Sequence, residues 1–372
     1  MQSIINFFNA INSMGSSAIL PIVIFIMGLI FRVKPGTALK SAIRVGIGVW
    51  GLSLMTTVAV QYIGPLGTAL TETYGFTNTI VDGGVGVEIM VAFTYKFAGL
   101  MIPAGILLNI VCLLCKFTKT LDVDVWNFWG WLFSATLVYN ITNSHLWAIL
   151  AFVATGMLSL KLGDLMAPKM QKAYGLEGIS FPHCYATVYA LPAPLFNKLF
   201  DLIGLGKIKA DPKSMQDKLG VFGDTTVIGF IIGFILSLIA GMGFGGSIST
   251  AISFAAIILL FPTVIGFLVE GLMPISNAAR SLMLKKFHSA DYYIGLDCAV
   301  GVGQPANMVV NVLAIPFIFI LALVLPGVDV LPAGGIAVAA AFWCSYAMPF
   351  FDNNIVKGLL YCIIMMIPAL YA

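Results

Sequence analysis

The residues most able to do chemistry in this chain of 372 are acids and amides that interrupt apolar, glycine-rich stretches. IVDGGVGVE at 80–88 sets Asp82 and Glu88 on either side of a glycine-rich turn, and IGLDCAVGVGQ at 294–304 sets Asp297 and Gln304 in the same relation. Asn143 lies in a Thr-Asn-Ser triplet at 142–144, Asn307 follows the second stretch, and Asp352-Asn353-Asn354 forms a further polar triplet. Carboxylates and amides make paired hydrogen bonds, the contacts that recognise hydroxyl-rich molecules. A neutral polyol or sugar fits this inventory. An anion would call for Arg or Lys among the candidates, and only Lys96 is near. Each position also has a structural reading. Asp82, Asn143 and Asn353 can cap the helices that follow them, and Gln304 precedes Pro305 at a helix start.

The histidines differ in setting. His288 falls in a basic amphipathic stretch and reads as solvated surface, while His145 opens an apolar run beside Trp147 and reads as interfacial. His183 stands in GISFPHC, between a lysine-rich loop and an amphipathic stretch. A neutral imidazole there donates one hydrogen bond, accepts another, or acts as a base. No HExxH, Walker or nucleophile-elbow pattern is present, so no metal, cofactor or catalytic nucleophile is expected. Cys112 and Cys115 form a CxxC inside an apolar run without a second pair at zinc spacing, and read as packing.

The elements that position these residues are read from composition. The chain is 60% apolar and 9% charged, with a mean hydropathy of +1.00, whereas soluble domains carry about 25% charged residues. This is an all-α polytopic membrane protein. A net charge of +3 gives no reason to expect nucleic acid. Apolar segments run over 17–31, 44–63, 97–115, 123–141, 146–160, 225–242, 248–269, 306–326, 332–350 and 355–371. Residues 65–76 and 271–290 read as amphipathic helices, each entered at a proline that ends the preceding span (Pro65, Pro274). The polar stretches 78–96 and 291–305 read as re-entrant hairpins. The N-terminus lacks the cationic segment of a signal peptide, so the first apolar run reads as a retained span.

Order and spacing recur about 210 residues apart along the whole chain. Residues 36–66 correspond to 246–276, the two hairpins to each other, and Thr142-Asn143-Ser144 to Asp352-Asn353-Asn354. The reading is a first repeat over 1–166, a connecting segment over 167–221 and a second repeat over 222–372, with five spans per repeat. Loop charge gives orientation, because Lys and Arg collect on the cytoplasmic side. Residues 1–31 carry no charged side chain, while Arg32, Lys34, Lys40 and Arg44 follow at once. Lys116, Lys119, the lysine-rich 161–220 and the group Arg280, Lys285 and Lys286 all fall on the same side as that first loop. The N-terminus is therefore expected outside, and an odd span number inverts the second repeat. Inverted repeats with paired breaks characterise alternating-access transporters that bind substrate at mid-membrane.

GLEGISFPHC (175–184), YYIGLDCAVGVGQ (292–304), LPIVIFIMGLIF (20–31), DVDVWNFW (122–129), KLGD (161–164) and GLMPISNAARSLMLKKF (271–287) resemble one family. It is the galactitol-type permease, component IIC, of the bacterial sugar phosphotransferase system, which groups with the ascorbate permeases. The resemblance implies a homodimer in the bacterial inner membrane, each protomer having a scaffold domain and a moving core domain. It implies elevator transport of a polyol, galactitol first, and phosphorylation by a separate component IIB that is served by IIA. Component IIB would dock on the basic segments 161–220 and 271–290. Asp297 would contact substrate hydroxyls and His183 would line the cytoplasmic path. Glu88, Asn143, Gln304 and Asn353 complete the candidate substrate site. Gln304 stands where the galactitol permeases carry a histidine, the segment around Asn143 to His145 also departs from them, and the family continues for one further C-terminal span. The competing reading is a secondary transporter coupled to H⁺ or Na⁺, with Glu88, Asp297 or Asp352 as the coupling acid.

Overall fold

A computed structural model describes residues 16–75, 79–81, 88, 91–124, 127–208, 210–287, 292–296, 298–332 and 346–371. The expected contacts at Asp82, Asp297 and His288 lie outside the described residues. Helices dominate: α1 (Ser16–Ile30), α2 (Pro35–Tyr74), α3 (Met101–Leu114), α4 (Phe128–Thr142), α5 (His145–Tyr174), α6 (Cys184–Ala190), α7 (Ala193–Leu202), α8 (Pro212–Leu219), α9 (Thr225–Ile239), α10 (Gly243–Phe287), α11 (Pro305–Val324) and α12 (Ile355–Tyr371). Among the described residues, five short strands lie between them: β1 (Thr79–Val81), β2 (Thr120–Asp122), β3 (Ile179–Ser180), β4 (Tyr293–Gly295) and β5 (Val330–Pro332). Among the described residues, four helical stretches are long and apolar enough to cross a membrane: Pro35–Met55, His145–Tyr174, Gly243–Leu260 and Pro305–Val324.

Two expected breaks are not breaks. Pro65 lies inside the 40-residue α2, and Pro274 lies inside the 45-residue α10. At 1.5 Å per residue these helices reach roughly 60 and 67 Å, about twice the hydrocarbon thickness. A proline removes one backbone hydrogen bond and can kink a membrane helix, but neighbouring groups let the helix continue. Span and amphipathic extension thus belong to one continuous helix in both cases.

The chain divides into two compact units, each drawing on both halves of the sequence. The first comprises Met1–Gly51, Glu88–Val188 and Val264–Val300; the second comprises Leu52–Val87, Tyr189–Thr263 and Gly301–Ala372. In the first unit, α2 and α10 approach closely at Gly271, where an added Cβ would lie 2.8 Å from the Ser41 carbonyl oxygen. Small residues at such crossings let membrane helices pack by backbone contact. Helices α4 and α5 form an antiparallel pair, turned by Asn143 at φ 53°. Buried Trp131 packs between Phe128 and Phe152, at centroid distances of 4.7 and 5.7 Å. The strands β2, β4 and β3 make a parallel sheet in that order.

In the second unit, Val310, Ala314 and Ile318 of α11 pack with Met348, Phe351, Tyr361 and Phe200 in a continuous buried core. Strand β1 pairs in parallel with β5. Asp224 caps α9, its Oδ1 accepting from Thr226 N at 2.9 Å and Val227 N at 3.2 Å. At the other end of α9, Thr73 and Tyr74 donate to the carbonyls of Ala240 and Ile239 at 2.8 and 3.0 Å. Lys357 of α12, 6% exposed, donates to Asp201 at 2.7 Å and Asn197 at 2.8 Å, both on α7. Asp201→Ala leaves this ammonium without its carboxylate. Loss of one partner of a buried pair costs about 3–5 kcal/mol, and the half-exposed Asp201 reduces the expected loss to about 1–3 kcal/mol. Thermal unfolding in detergent reads this, and Lys357→Met with Asp201→Ala should recover most of the loss.

Candidate functional site

In the first unit, the sheet builds a pedestal for the segment that carries Asp297. Ile294 N donates to Gly178 O and Leu296 N to Ser180 O, each at 2.9 Å, while Val123 N donates to Gly295 O at 3.3 Å. Leu296, the last residue before Asp297, is therefore held from both sides. Gly295 is required for this fit. A Cβ there would stand 2.8 Å from Asp122 Cα and 3.0 Å from Thr120 Cγ2.

Buried polar residues tie the pedestal to the helices. Asn109 of α3 donates to Thr120 O at 2.9 Å and accepts from Asp122 N at 3.0 Å. The Asn127 amide donates to both Asp122 oxygens, at 3.0 and 3.3 Å, and reaches Leu296 O at 3.5 Å. Thr120 Oγ1 lies 2.7 Å from Ser180 Oγ and donates to Asp164 of α5 at 2.8 Å. Thr118 and the Lys119 amide both donate to the second Asp164 oxygen at 2.9 Å. Buried polar groups carry a high penalty unless satisfied, so such a network fixes one geometry. Sequence reasoning passed over Asn109, Asp122, Asn127 and Asp164. The available signal was two acids and an amide at 122–127 inside an apolar run.

Strand β3 delivers His183 from the neighbouring position of the sheet. His183 is 9% exposed, and its Nδ1 accepts from Ala186 N at 3.3 Å. An accepting Nδ1 leaves the proton of the neutral ring on Nε2. Thr187 Oγ1 donates to His183 O at 2.6 Å and fixes the start of α6. The next aromatic, Tyr185, lies edge-on to His183 at 6.0 Å and packs against Trp129 at 5.9 Å and Phe133 at 6.3 Å. Half-buried Glu88 is close enough to Cys184 and Tyr185 to act on both electrostatically. Glu88 thus lies near Cys184 and Tyr185, and Tyr185 joins His183 to an aromatic wall from α4.

The remaining candidates stand elsewhere. Asn143 is exposed in the left-handed turn between α4 and α5, its N–H donating to Tyr139 O at 2.7 Å. In the second unit, Gln304 is the N-cap residue of α11 but makes no side-chain capping bond. One turn on, buried Asn307 donates to Gly301 O. Both side-chain polar atoms of buried Asn311 lack a partner among the described residues. Asp352 and Asn353 are consecutive left-handed residues, at φ 52° and 59°, and the Asn353 Oδ1 is buried without a partner among the described residues. Asn354 caps α12, accepting from Lys357 N at 3.1 Å.

The comparisons with known proteins agree with one another. The profile of the family described as the PTS (phosphotransferase system) sugar-specific permease component, EIIC-GAT, matches residues 10–372. An Escherichia coli (strain K12) protein, named as a permease IIC component without a stated sugar, is 36% identical over 364 residues. That match covers 98% of this chain and 83% of the relative. The galactitol-specific EIIC components of E. coli K12 and O157:H7 are each 32% identical over 354 residues, covering 95% of this chain and 78% of each relative. An integral protein of the bacterial inner membrane, a sugar substrate and companion IIA and IIB components follow from that family. This chain belongs to the family of sugar-specific permease components of the phosphotransferase system.

Proposed function

We propose that this chain carries a galactitol-like polyol across the membrane by an elevator motion and presents it to component IIB for phosphorylation. The observation that carries the reading is that Glu88 and His183 both neighbour Tyr185, in the unit whose strand β4 ends at Gly295. Carboxylates at Glu88 and Asp297 accept hydrogen bonds from substrate hydroxyls, and the His183 Nε2–H donates one. The phosphoryl group passes from IIB to a substrate hydroxyl, so the permease supplies position and no nucleophile. The added charge then keeps the product from rebinding among carboxylates.

The inverted-repeat reading is part of this proposal. Strand pairing supports it: β1 of the first repeat pairs with β5 of the second, and β4 of the second pairs with β2 of the first. The registers correspond as well, Thr79 facing Val330 as Tyr293 faces Thr120. Left-handed Asn143 and Asn353 occupy matching positions before α5 and α12. Rigid-body movement against a fixed scaffold is the motion such repeats allow. The N-terminus lies outside and two chains form the functional dimer.

The test is calorimetric binding of hexitols, pentitols and hexoses to purified protein. Galactitol or a close polyol should bind, and Glu88→Gln and His183→Ala should each weaken binding by about tenfold or more, as expected for hydrogen bonds that involve a charged or buried group. A panel in which no polyol binds, or in which both variants bind as the parent does, contradicts the site.

A further inference from the structure

A second feature of the first unit is lined by none of the candidate substrate contacts. Helices α3, α4 and α5 enclose an apolar groove of about 580 Å³. Ala104, Leu107 and Val111 of α3 line one wall; Ala135 of α4 with Ile149 and Phe152 of α5 line the other. Leu107 is 63% exposed and Ile149 56% exposed, so the groove opens along its length to the outside of the unit. From Met101 to Val111 it follows about 15 Å of helix, half of the roughly 30 Å hydrocarbon core. Its depth is that of one leaflet.

One end differs in chemistry. Tyr95 and Phe97 close it, and the Tyr95 hydroxyl lies 3.0 Å from His145 Nδ1. His145, itself exposed, stacks on Tyr139 at 4.7 Å. Exposed Lys96 holds its ammonium 5.7 Å from the Phe97 ring centroid, and Trp147, two residues on from His145, is 58% exposed. Tyr, Trp and a cation at one level mark the boundary between hydrocarbon and headgroups.

We infer that this groove is a binding site for one anionic phospholipid, an acyl chain filling the slot and the phosphate lying at Lys96 and His145. An apolar slot of single-leaflet depth that ends at a cation is complementary to an amphiphile. A second copy of the chain would have to insert a ridge of matching length and offer an acid to Lys96. The site lies against α4 and α5, so a bound lipid braces the helices that carry the Tyr185 wall and Asp164.

The experiment uses the full-length chain, stripped of lipid in detergent and then titrated with phosphatidylglycerol or phosphatidylcholine under native mass spectrometry. One phosphatidylglycerol per chain should be retained in preference to phosphatidylcholine. Lys96→Glu should weaken retention by about fivefold or more, the order expected for one surface cation near an anionic headgroup. Ala104→Phe, which fills the slot from an exposed position, should remove retention without lowering the thermal unfolding temperature. Equal retention of both lipids, or retention unchanged in Ala104→Phe, overturns the proposal. So does a Leu107→Cys variant that cross-links two chains in native membranes, because the groove would then be covered by a second copy.

Discussion

Asp297→Asn should lower galactitol affinity by about a hundredfold while the chain remains folded. The substitution keeps side-chain volume but replaces one carboxylate oxygen by a donor and removes the charge. Hydrogen bonds to a charged group contribute about 1.5–3 kcal/mol each, and two neighbouring hydroxyls on a polyol can share one carboxylate. Losing one of these bonds, and the charge that strengthens the other, brings the loss to about two orders of magnitude. The surrounding backbone gives little room for compensation, because Leu296 is bonded to Ser180 O and its carbonyl faces the Asn127 amide at 3.5 Å. Calorimetry with galactitol, beside a thermal unfolding trace, checks the outcome. Unchanged affinity would remove Asp297 from the site.

Gly295→Val is the second large effect, and it acts through geometry. The new Cβ would sit 2.8 Å from the Asp122 backbone and 2.9 Å from its Oδ1, so a backbone, not only a flexible side chain, stands in the way. Strand β4 must then move off β2. The bonds Tyr293 N to Lys119 O and Val123 N to Gly295 O weaken with it, and the Asn127–Asp122 pair loses its register with Leu296. Overpacking a tight site costs about 1–3 kcal/mol and sometimes more, and this position is at the upper end because the clash is with main chain. Substrate binding should be lost together with a clear fall in unfolding temperature. Gly266→Ala in α10 serves as the control, since no other part of the fold lies within 4 Å of a Cβ there and alanine favours a helix. A Gly295→Val protein as stable as its parent would mean that the pedestal is not needed.

Membrane segments were legible because they depend on local composition. Glu88 and His183 stood out for a related reason, being polar groups at apolar boundaries, and their role as substrate contacts is the proposal. The continuous course of α2 through Pro65 was not, since a proline reads as an end until packing shows otherwise. The short strands escaped as well. Runs of two or three residues such as Ile179–Ser180 have no periodicity to read, and their pairing partners lie more than a hundred residues away. Asp122 and Asn127 were passed over for a similar reason. Their buried role exists only once Asn109, Gly295 and Leu296 are brought beside them. Long-range placement turned an apparent interruption of a span into a support for the site.

The central claim is group translocation of a polyol, and labelled galactitol in sealed membrane vesicles tests it most directly. Vesicles containing this chain, supplied with components IIA and IIB and a phosphoryl donor on the cytoplasmic face, should accumulate the label as a phosphate ester, with no response to an imposed H⁺ or Na⁺ gradient. Accumulation of unmodified galactitol that follows an ion gradient, without IIB or a donor, would contradict the account and assign Glu88, Asp297 or Asp352 to ion coupling.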